Sequence, residues 1–223
     1  MKYQRNMEMD QTNSRNLHRP HHMYDGHTYF VTGRCIGAKH YFYNEQRKNI
    51  WRNVCKESIE RFGIKMYAWV LLENHYHILF SLPYKEVCTE TDFVPQSVTP
   101  RDRKERSDEM SAANFVSQQD IRILVEFIRK IHKDSARKLN QLDNTPARKI
   151  WYQYYDRCIR NIPDFWKHFN YILKNPYKHG LVDSLGASFA YIHSSNPTWL
   201  FRFGADGLHE GFCKYPVAEV AVE

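Results

Sequence analysis

The chain contains 223 residues, which is enough for one domain with a hydrophobic core and too few for two domains of full size. Its 42% of hydrophobic and 15% of aromatic residues are typical of a folded globular protein, while a mean hydropathy of -0.68 indicates sizeable polar stretches as well. The longest apolar run, from Met66 to Leu72, is far shorter than the roughly 20 residues that a membrane span needs. We therefore expect a soluble protein with no membrane partner.

The net charge and the cysteines indicate what kind of partner the protein binds and in which cellular compartment it lies. The formal net charge of +7 favours a polyanionic partner, because Lys and Arg side chains near phosphates release condensed counterions, although many basic proteins bind no polyanion. The five cysteines are odd in number and form no CxxC pair, which argues against a disulfide framework and a thiolate zinc site. Because no secretory signal pattern opens the chain, we expect a cytoplasmic protein.

The first elements follow in chain order. Residues 1–24 are rich in Asn, Gln, Arg and His without an apolar period, and are interpreted as a flexible basic arm. A β-branched and aromatic stretch from His27 to Cys35 predicts a strand. Apolar residues at helical spacing from Tyr43 to Phe62, followed by Gly63 at a capping position, predict the first helix.

A hairpin and a second helix come next. Strands are predicted from Lys65 to Leu72 and from His75 to Leu82, joined by a tight turn at Glu73-Asn74. The composition then turns polar near residues 84–118, which we interpret as an insertion without regular structure. The spacing of apolar residues from Gln119 to about Leu142 predicts an amphipathic helix.

The last predicted elements are a strand from Lys149 to Tyr155 and a third helix from about Pro163 to Asn175-Pro176. The order β-α-β-β-α-β-α predicts an α+β fold, a ferredoxin-like or RRM-like antiparallel sheet with helices on one face. We assign this domain to residues 25–185 and treat residues 186–223 as a C-terminal extension.

Two histidines lie in the third predicted strand, within Asn74-His75-Tyr76-His77. Side chains alternate faces along a strand, so His75 and His77 project from the same side and Tyr76 from the other. Two imidazoles on one face can share a metal ion. The alternative is that they are solvent-facing or hydrogen-bonded strand histidines, as in most HxH pairs.

The third predicted helix carries two stripes at helical spacing. The apolar stripe comprises Phe165, Phe169, Ile172, Leu173 and Pro176. The polar stripe comprises Asp164, His168, Tyr171 and Asn175. We expect the apolar stripe to be the buried side and Tyr171 to lie away from the core. A surface or loop-covered aromatic remains the alternative for Tyr171.

Two separated sequence blocks resemble the single-tyrosine HUH transposases, and more closely the REP-associated tyrosine transposases. They are Ala68-Trp-Val-Leu-Leu-Glu-Asn-His-Tyr-His-Ile-Leu79, and Tyr171-Ile-Leu-Lys-Asn-Pro-Tyr-Lys-His-Gly-Leu-Val182. Arg157-Cys-Ile-Arg-Asn161, the run at His18-Arg19-Pro20 and the Trp151–Tyr155 strand are also similar to that family. The resemblance spans roughly residues 18–182.

The resemblance implies roles for individual residues. His75 and His77 look like the metal ligands, Tyr171 like the nucleophile, and Asn175 like the third ligand, one helical turn after Tyr171. The sequence departs from the family pattern at Glu73, where proline is usual, and at Tyr177, where valine is usual. Neither position replaces an implied catalytic group.

The implied activity is that of a tyrosine transposase, a single-strand DNA nickase and ligase with the HUH endonuclease fold. The implied cofactor is Mg²⁺ or Mn²⁺, which would neutralise charge on the scissile phosphate, and Tyr171 would be left joined to a 5′-phosphate. The implied partner is single-stranded or REP-like palindromic hairpin DNA, bound by a monomer or homodimer. His168, one turn before Tyr171, is a candidate to help the phenol ionise.

Basic residues near Tyr171 form a candidate DNA-binding patch, with Lys and Arg side chains of the second helix as a weaker candidate. The patch comprises Arg157, Arg160, Lys174, Lys178 and His179. Two other functions stay open. One is a catalytically silent module that holds hairpin DNA or RNA on the same surface. The other is an unrelated metal-dependent hydrolase, which would need carboxylate ligands beside the histidines and would give Tyr171 no role.

Overall fold

The structure, a computed structural model, describes residues 28–83 and 106–217, with the side chains of residues 106–120 left undescribed. Four antiparallel strands form one sheet in the order β2-β3-β1-β4. The strands are β1 Thr28–Cys35, β2 Lys65–Leu71, β3 His75–Ser81 and β4 Trp151–Cys158. This order and the chain connectivity are ferredoxin-like, so the predicted α+β class and antiparallel sheet are confirmed.

Five α-helices surround the sheet within the described ranges. They are α1 Glu45–Phe62, α2 Arg106–Leu142, α3 Ile162–Lys178, α4 Leu185–Ser188 and α5 Asn196–Lys214. Helix α1 starts where the Asn44 side chain accepts a hydrogen bond from the Arg47 amide, and it ends at Gly63 in the left-handed conformation. The predicted boundaries of this helix are therefore confirmed to within two residues.

Helices cover both faces of the sheet, so the prediction that they cover only one face was wrong. Tyr29 and Ile78 pack with α1 and α2 in a first core, whereas Phe30 and Leu79 pack with α3 and α5 in a second. Nearly every residue of β1 and β3 is buried. A strand that is apolar on both faces needs a helical layer on each side. The His27–Cys35 stretch, which is not strictly alternating, carried this signal.

Two helix boundaries also differ from the prediction. Helix α2 begins at Arg106, so residues 106–118 of the predicted polar insertion are helical, while residues 84–105 lie outside the described part. Helix α3 continues through Pro176 to Lys178 instead of ending there. A proline in the last turn removes only one backbone donor, and the amide of His179 still bonds to the Asn175 carbonyl at 3.1 Å.

Residues after α3 complete the second core. The backbone amides of Leu71 and Ser195 donate to the carbonyls of His193 and Trp69 at 2.9 and 2.8 Å, which covers the outer edge of β2. Phe189 and Leu208 are buried against α3 and the sheet. The predicted C-terminal extension is therefore built into the domain as far as it is described. The predicted N-terminal arm, residues 1–24, lies outside the described residues.

None of the helices in residues 28–83 and 106–217 is long and apolar enough to cross a membrane.

Candidate active site

The two histidines of β3 lie on the same face of the sheet, as the alternation of strand side chains predicted. The ring centroids of His75 and His77 are 5.0 Å apart. Tyr76, between them, points to the opposite face, where it is fully buried and its hydroxyl lies 2.9 Å from Nε2 of His132. One face of β3 thus offers an imidazole pair, and the other face contributes to the first core.

Both imidazoles are held through Nδ1. His75 Nδ1–H donates to Asn74 Oδ1 at 2.6 Å, because an amide oxygen carries no proton to give. His77 Nδ1 lies 2.8 Å from the Thr32 hydroxyl. The Nε2 atom of His77 is buried and has no hydrogen-bond partner among the described residues. In the tautomer that carries its proton on Nδ1, each ring has the Nε2 lone pair available to another ligand.

The electrostatic surroundings keep both rings neutral. Burial, followed by the charges of His179 and Arg34, lowers the pKa of His75 to about 3. Burial, followed by the charge of His75, lowers the pKa of His77 well below its ordinary value. A neutral imidazole is the form that coordinates a metal ion. Proton competition for these nitrogens is therefore weak near neutral pH.

Helix α3 brings Tyr171 against this pair. The ring centroids of Tyr171 and His77 are 5.1 Å apart and nearly perpendicular, and Tyr171 also meets Phe30 at 5.9 Å. Tyr171 is only 4% exposed. The expectation that it lies away from the core was wrong. The polar stripe of α3 faces β1 and β3, while the apolar stripe packs beside it on β2 and α5, as Phe169 does on Trp199.

The stripe that carries Tyr171 continues to Asn175 and His179 at steps of four residues. Its two ends contact the histidine pair: Tyr171 meets His77, and the His179 ring lies 4.8 Å from that of His75. Asn175 lies between them on the helix. Its side chain is 0% exposed, and within the described residues neither its oxygen nor its nitrogen has a hydrogen-bond partner.

Leaving a buried amide unsatisfied costs about 1–3 kcal/mol, so a bound ligand would stabilise such a group. No three His, Cys, Asp or Glu side chains in residues 28–83 and 121–217 are grouped so as to hold a metal ion. An ion at the imidazole pair would need a third donor of another type. The buried oxygen of Asn175 is one, so the donor set of His75, His77 and Asn175 fits a divalent cation.

The candidate DNA-binding residues fall into two groups. The side chain of Lys178 is exposed, with Nζ 5.0 Å from the centre of the Tyr171 ring, and His179 lies against His75. Arg157 donates to Asp164 at 3.2 Å, beside the first turn of α3. Arg160 is exposed near that turn, and Lys174 is half-buried in the middle of the helix. The basic residues of α2 lie on the opposite face of the sheet.

His168 occupies the stripe one turn before Tyr171. Its Nδ1–H donates to the backbone carbonyl of Asp164 at 2.7 Å, and its ring lies 4.7 Å from Phe30. Burial is the main cause that lowers the pKa of His168. The ring is therefore a neutral, fixed part of the wall beside Tyr171.

Sequence reasoning missed three residues of this site. Thr32 and Asn74 hold Nδ1 of the two histidines, and the exposed Arg34 lies directly across from His75 in the pairing of β1 with β3. A signal was available, because alternation along β1 puts Thr32 and Arg34 on one face. The register of β1 against β3, which makes that face the histidine face, was not encoded in any local pattern.

The overall fold is similar to that of a REP-associated tyrosine transposase whose structure was solved bound to a REP hairpin. The two chains are 20% identical, the TM-score is 0.53, and the alignment covers 86% of each. A candidate transposase from Deinococcus radiodurans is 9% identical over 65% of this chain and 88% of that chain, with a TM-score of 0.36, which is too distant to argue from. No family profile and no curated protein matches the sequence. The fold implied by the sequence resemblance is thereby confirmed.

Proposed function

We propose that this chain is a metal-dependent endonuclease and strand transferase for single-stranded, hairpin-forming DNA, acting through a 5′-phosphotyrosine intermediate. The observation that carries the proposal is the contact between Tyr171 and His77, with ring centroids 5.1 Å apart. A phenol and an imidazole pair meet there at one point of the sheet, and Nε2 of His77 has no hydrogen-bond partner among the described residues. That combination is what phosphodiester cleavage by a tyrosine needs.

In the proposed reaction, the Tyr171 oxygen attacks the scissile phosphorus. The bond from phosphorus to the 3′ oxygen breaks, the 3′ oxygen takes up a proton and leaves as a hydroxyl, and the phenol proton is lost to solvent. The phosphodiester energy is kept in the new tyrosine ester, so attack by a 3′-hydroxyl can rejoin the strand without ATP. Tyr171 is fixed in the helix, which orients its oxygen for this attack.

A divalent cation, Mg²⁺ or Mn²⁺, held by His75, His77 and Asn175 would supply charge neutralisation at the scissile phosphate. Thr32 and Asn74 hold the two rings through Nδ1, and so orient the nitrogens that the cation would use. These hydrogen bonds and the buried, unsatisfied amide of Asn175 are what support a metal-dependent reaction in this chain.

Hairpin DNA is the proposed substrate class for two reasons. The similar transposase was solved with a REP hairpin bound, and the two chains align over 86% of their length. Two cations lie close to the imidazole pair: Arg34 is directly across from His75, and Lys178 lies over Tyr171. Cations at these positions would attract the phosphates of a DNA strand to the site.

The test is to incubate the full chain with a labelled hairpin oligonucleotide, taken from the DNA that flanks its gene, in the presence of Mn²⁺. A denaturing gel should reveal a protein–DNA adduct. The adduct should be absent with Tyr171→Phe, while hairpin binding is retained. Tyr177→Phe is the matched control, because Tyr177 lies on the same helix and is 43% exposed, and it should behave as wild type.

Other outcomes select another function. Binding without any adduct in the wild type would indicate a module that holds hairpin DNA without cutting it. Free DNA ends without a protein link would indicate a hydrolase that does not use Tyr171. An adduct that persists in Tyr171→Phe would refute the assignment of the nucleophile.

A further inference from the structure

An exposed strip of the sheet, formed by Tyr155 and Arg157 of β4, lies next to the imidazole pair. Strand β4 is an edge strand, and its Tyr155 and Arg157 pair with Thr32 and Phe30 of β1. Partners in an antiparallel pair point to the same face, so Tyr155 and Arg157 share the face that carries His77. Tyr155 is 46% exposed, and the side chain of Arg157 is 41% exposed.

These side chains are exposed because of where α3 lies. Helix α3 packs on β2 and β3 and reaches β1 at Phe30. Among the described residues, no aromatic ring of α3 contacts the ring of Tyr155. Sequence reasoning placed Trp151 to Tyr155 in a strand and assigned no role to Tyr155. An exposed tyrosine on an edge strand has an ordinary explanation, because aromatic residues favour strands.

The strand register relates Tyr155 to the site. Thr32 is paired with Tyr155 on one side and with His77 on the other, so the three side chains form one row across the sheet. Two strand spacings of about 4.8 Å put Tyr155 about 10 Å from His77. A short stretch of unpaired DNA covers that distance.

Two arginines flank this row on the same face. Arg34 is exposed and paired with His75, and Arg157, one row away from Tyr155, is held by Asp164. An exposed aromatic ring between two cations is an arrangement that binds single strands, because bases stack on the ring and phosphates meet the arginines. Its positive charge is complementary to DNA. The bases of a duplex stem are already stacked on one another, so they do not stack on the ring.

We propose that Tyr155 stacks a base of the unpaired DNA adjacent to the scissile phosphate, with Arg34 and Arg157 on the phosphates to either side. This inference rests on the proposed function, since it defines which part of the hairpin substrate this strip holds. The strip contacts the single-stranded flank and not the hairpin stem. It therefore sets the direction in which the strand leaves the site.

The test uses Tyr171→Phe protein without metal, so that binding is measured apart from cleavage. Hairpins with 2-aminopurine at successive positions of the unpaired flank should report one position whose fluorescence is quenched on binding. Tyr155→Ala should abolish that quenching and weaken binding of the flanked hairpin about tenfold, as expected for one lost stacking contact. Binding of a blunt hairpin without flank should not change.

Two controls keep the result specific. Tyr155→Phe keeps the ring and should behave as the parent, and Tyr152→Ala, which removes a 53% exposed tyrosine from the same strand, should also leave the quenching unchanged. Unchanged quenching in Tyr155→Ala, or an equal loss for flanked and blunt hairpins, would overturn the inference. Failure of the proposed function is seen separately, because it appears as a missing adduct in protein that carries Tyr171 and still binds the flanked hairpin.

Discussion

The Thr32 hydroxyl lies 2.8 Å from Nδ1 of His77, and both side chains are almost fully buried. The contact joins β1 to β3 across the sheet on the face that α3 covers. It fixes the ring that Tyr171 touches, so the orientation of the proposed metal ligand depends on a residue 45 positions away in sequence.

Replacing Thr32 with Val removes this hydrogen bond while preserving the shape of the side chain. The ring of His77 then loses its partner at Nδ1, so we expect adduct formation to fall about 10- to 100-fold at limiting Mn²⁺. The measurement is adduct yield as a function of Mn²⁺ concentration. Thr32→Ser keeps the hydroxyl and should restore the wild-type curve. A Thr32→Val curve that matches wild type would remove the orienting role.

Replacing Asn175 should leave the stability of the metal-free protein intact while abolishing its stabilisation by a divalent cation. In Asn175→Leu, a buried amide without a partner is replaced by an apolar group of similar size, so the metal-free protein should be as stable as wild type or more stable by about 1–3 kcal/mol. The melting temperature of the wild type should rise on addition of Mn²⁺, and that rise should disappear in the variant. An equal rise in both proteins would show that the cation binds without Asn175.

Lys178 is expected to act on the reacting phosphate. Its Nζ lies 5.0 Å from the centre of the Tyr171 ring, where it can stabilise charge that develops during attack. In Lys178→Met we expect the rate of adduct formation at saturating DNA to fall about tenfold or more. Lys174→Met, one turn earlier on α3, is the matched control and should affect the rate much less. Equal rates for the two variants would contradict this role.

The pH dependence of stability follows from His132. Burial lowers the pKa of this ring from 6.5 to about 3, and its Nε2 lies 2.9 Å from the Tyr76 hydroxyl. Between these values the unfolded chain binds a proton that the folded chain does not. The contribution of the neutral His132 ring to the free energy of unfolding is therefore complete above pH 6.5 and is lost as the pH falls toward 3.

Chemical denaturation at several pH values measures this effect. Near pH 5, the slope of the unfolding free energy against pH should be smaller in His132→Gln than in wild type by about 1.4 kcal/mol per pH unit, which corresponds to one proton. The comparison uses the slope, so a general loss of stability in the variant does not affect it. Identical slopes would mean that His132 is protonated in the folded protein.

Local patterns predicted most of the fold. The limits of β1, β2 and β3, the α1 cap at Gly63, and the shared face of His75 and His77 all follow from rules that act over a few residues, whereas the predicted strand from Lys149 to Tyr155 stopped three residues short of the end of β4. What they could not predict was which layer each stripe of α3 meets. The helix is buried on two sides, and the hydrophobic period marked only the apolar side, because Tyr171 and Asn175 count as polar.

Only part of the candidate site could be found from the sequence. Its two sequence blocks could be found, since each is continuous. Thr32, Arg34 and Tyr155 join it only through the registers of β1 with β3 and β4, which depend on pairing between distant segments. The end of α3 was misjudged because Pro176 usually ends a helix, and its tolerance in the last turn is what brings Lys178 and His179 to the site.

The C-terminal segment limits how far the protein can be shortened. It forms backbone hydrogen bonds with β2 through Leu71 and Ser195, and the indole of Trp199 donates to the Tyr67 carbonyl at 2.9 Å. Removal of the segment from Leu185 onward would leave a row of unpaired amides and carbonyls along β2 and strip apolar cover from α3. Such an edge pairs readily with other chains. A shortened protein should therefore aggregate, so the described C-terminal helices belong in any minimal version used for crystallisation or fusion.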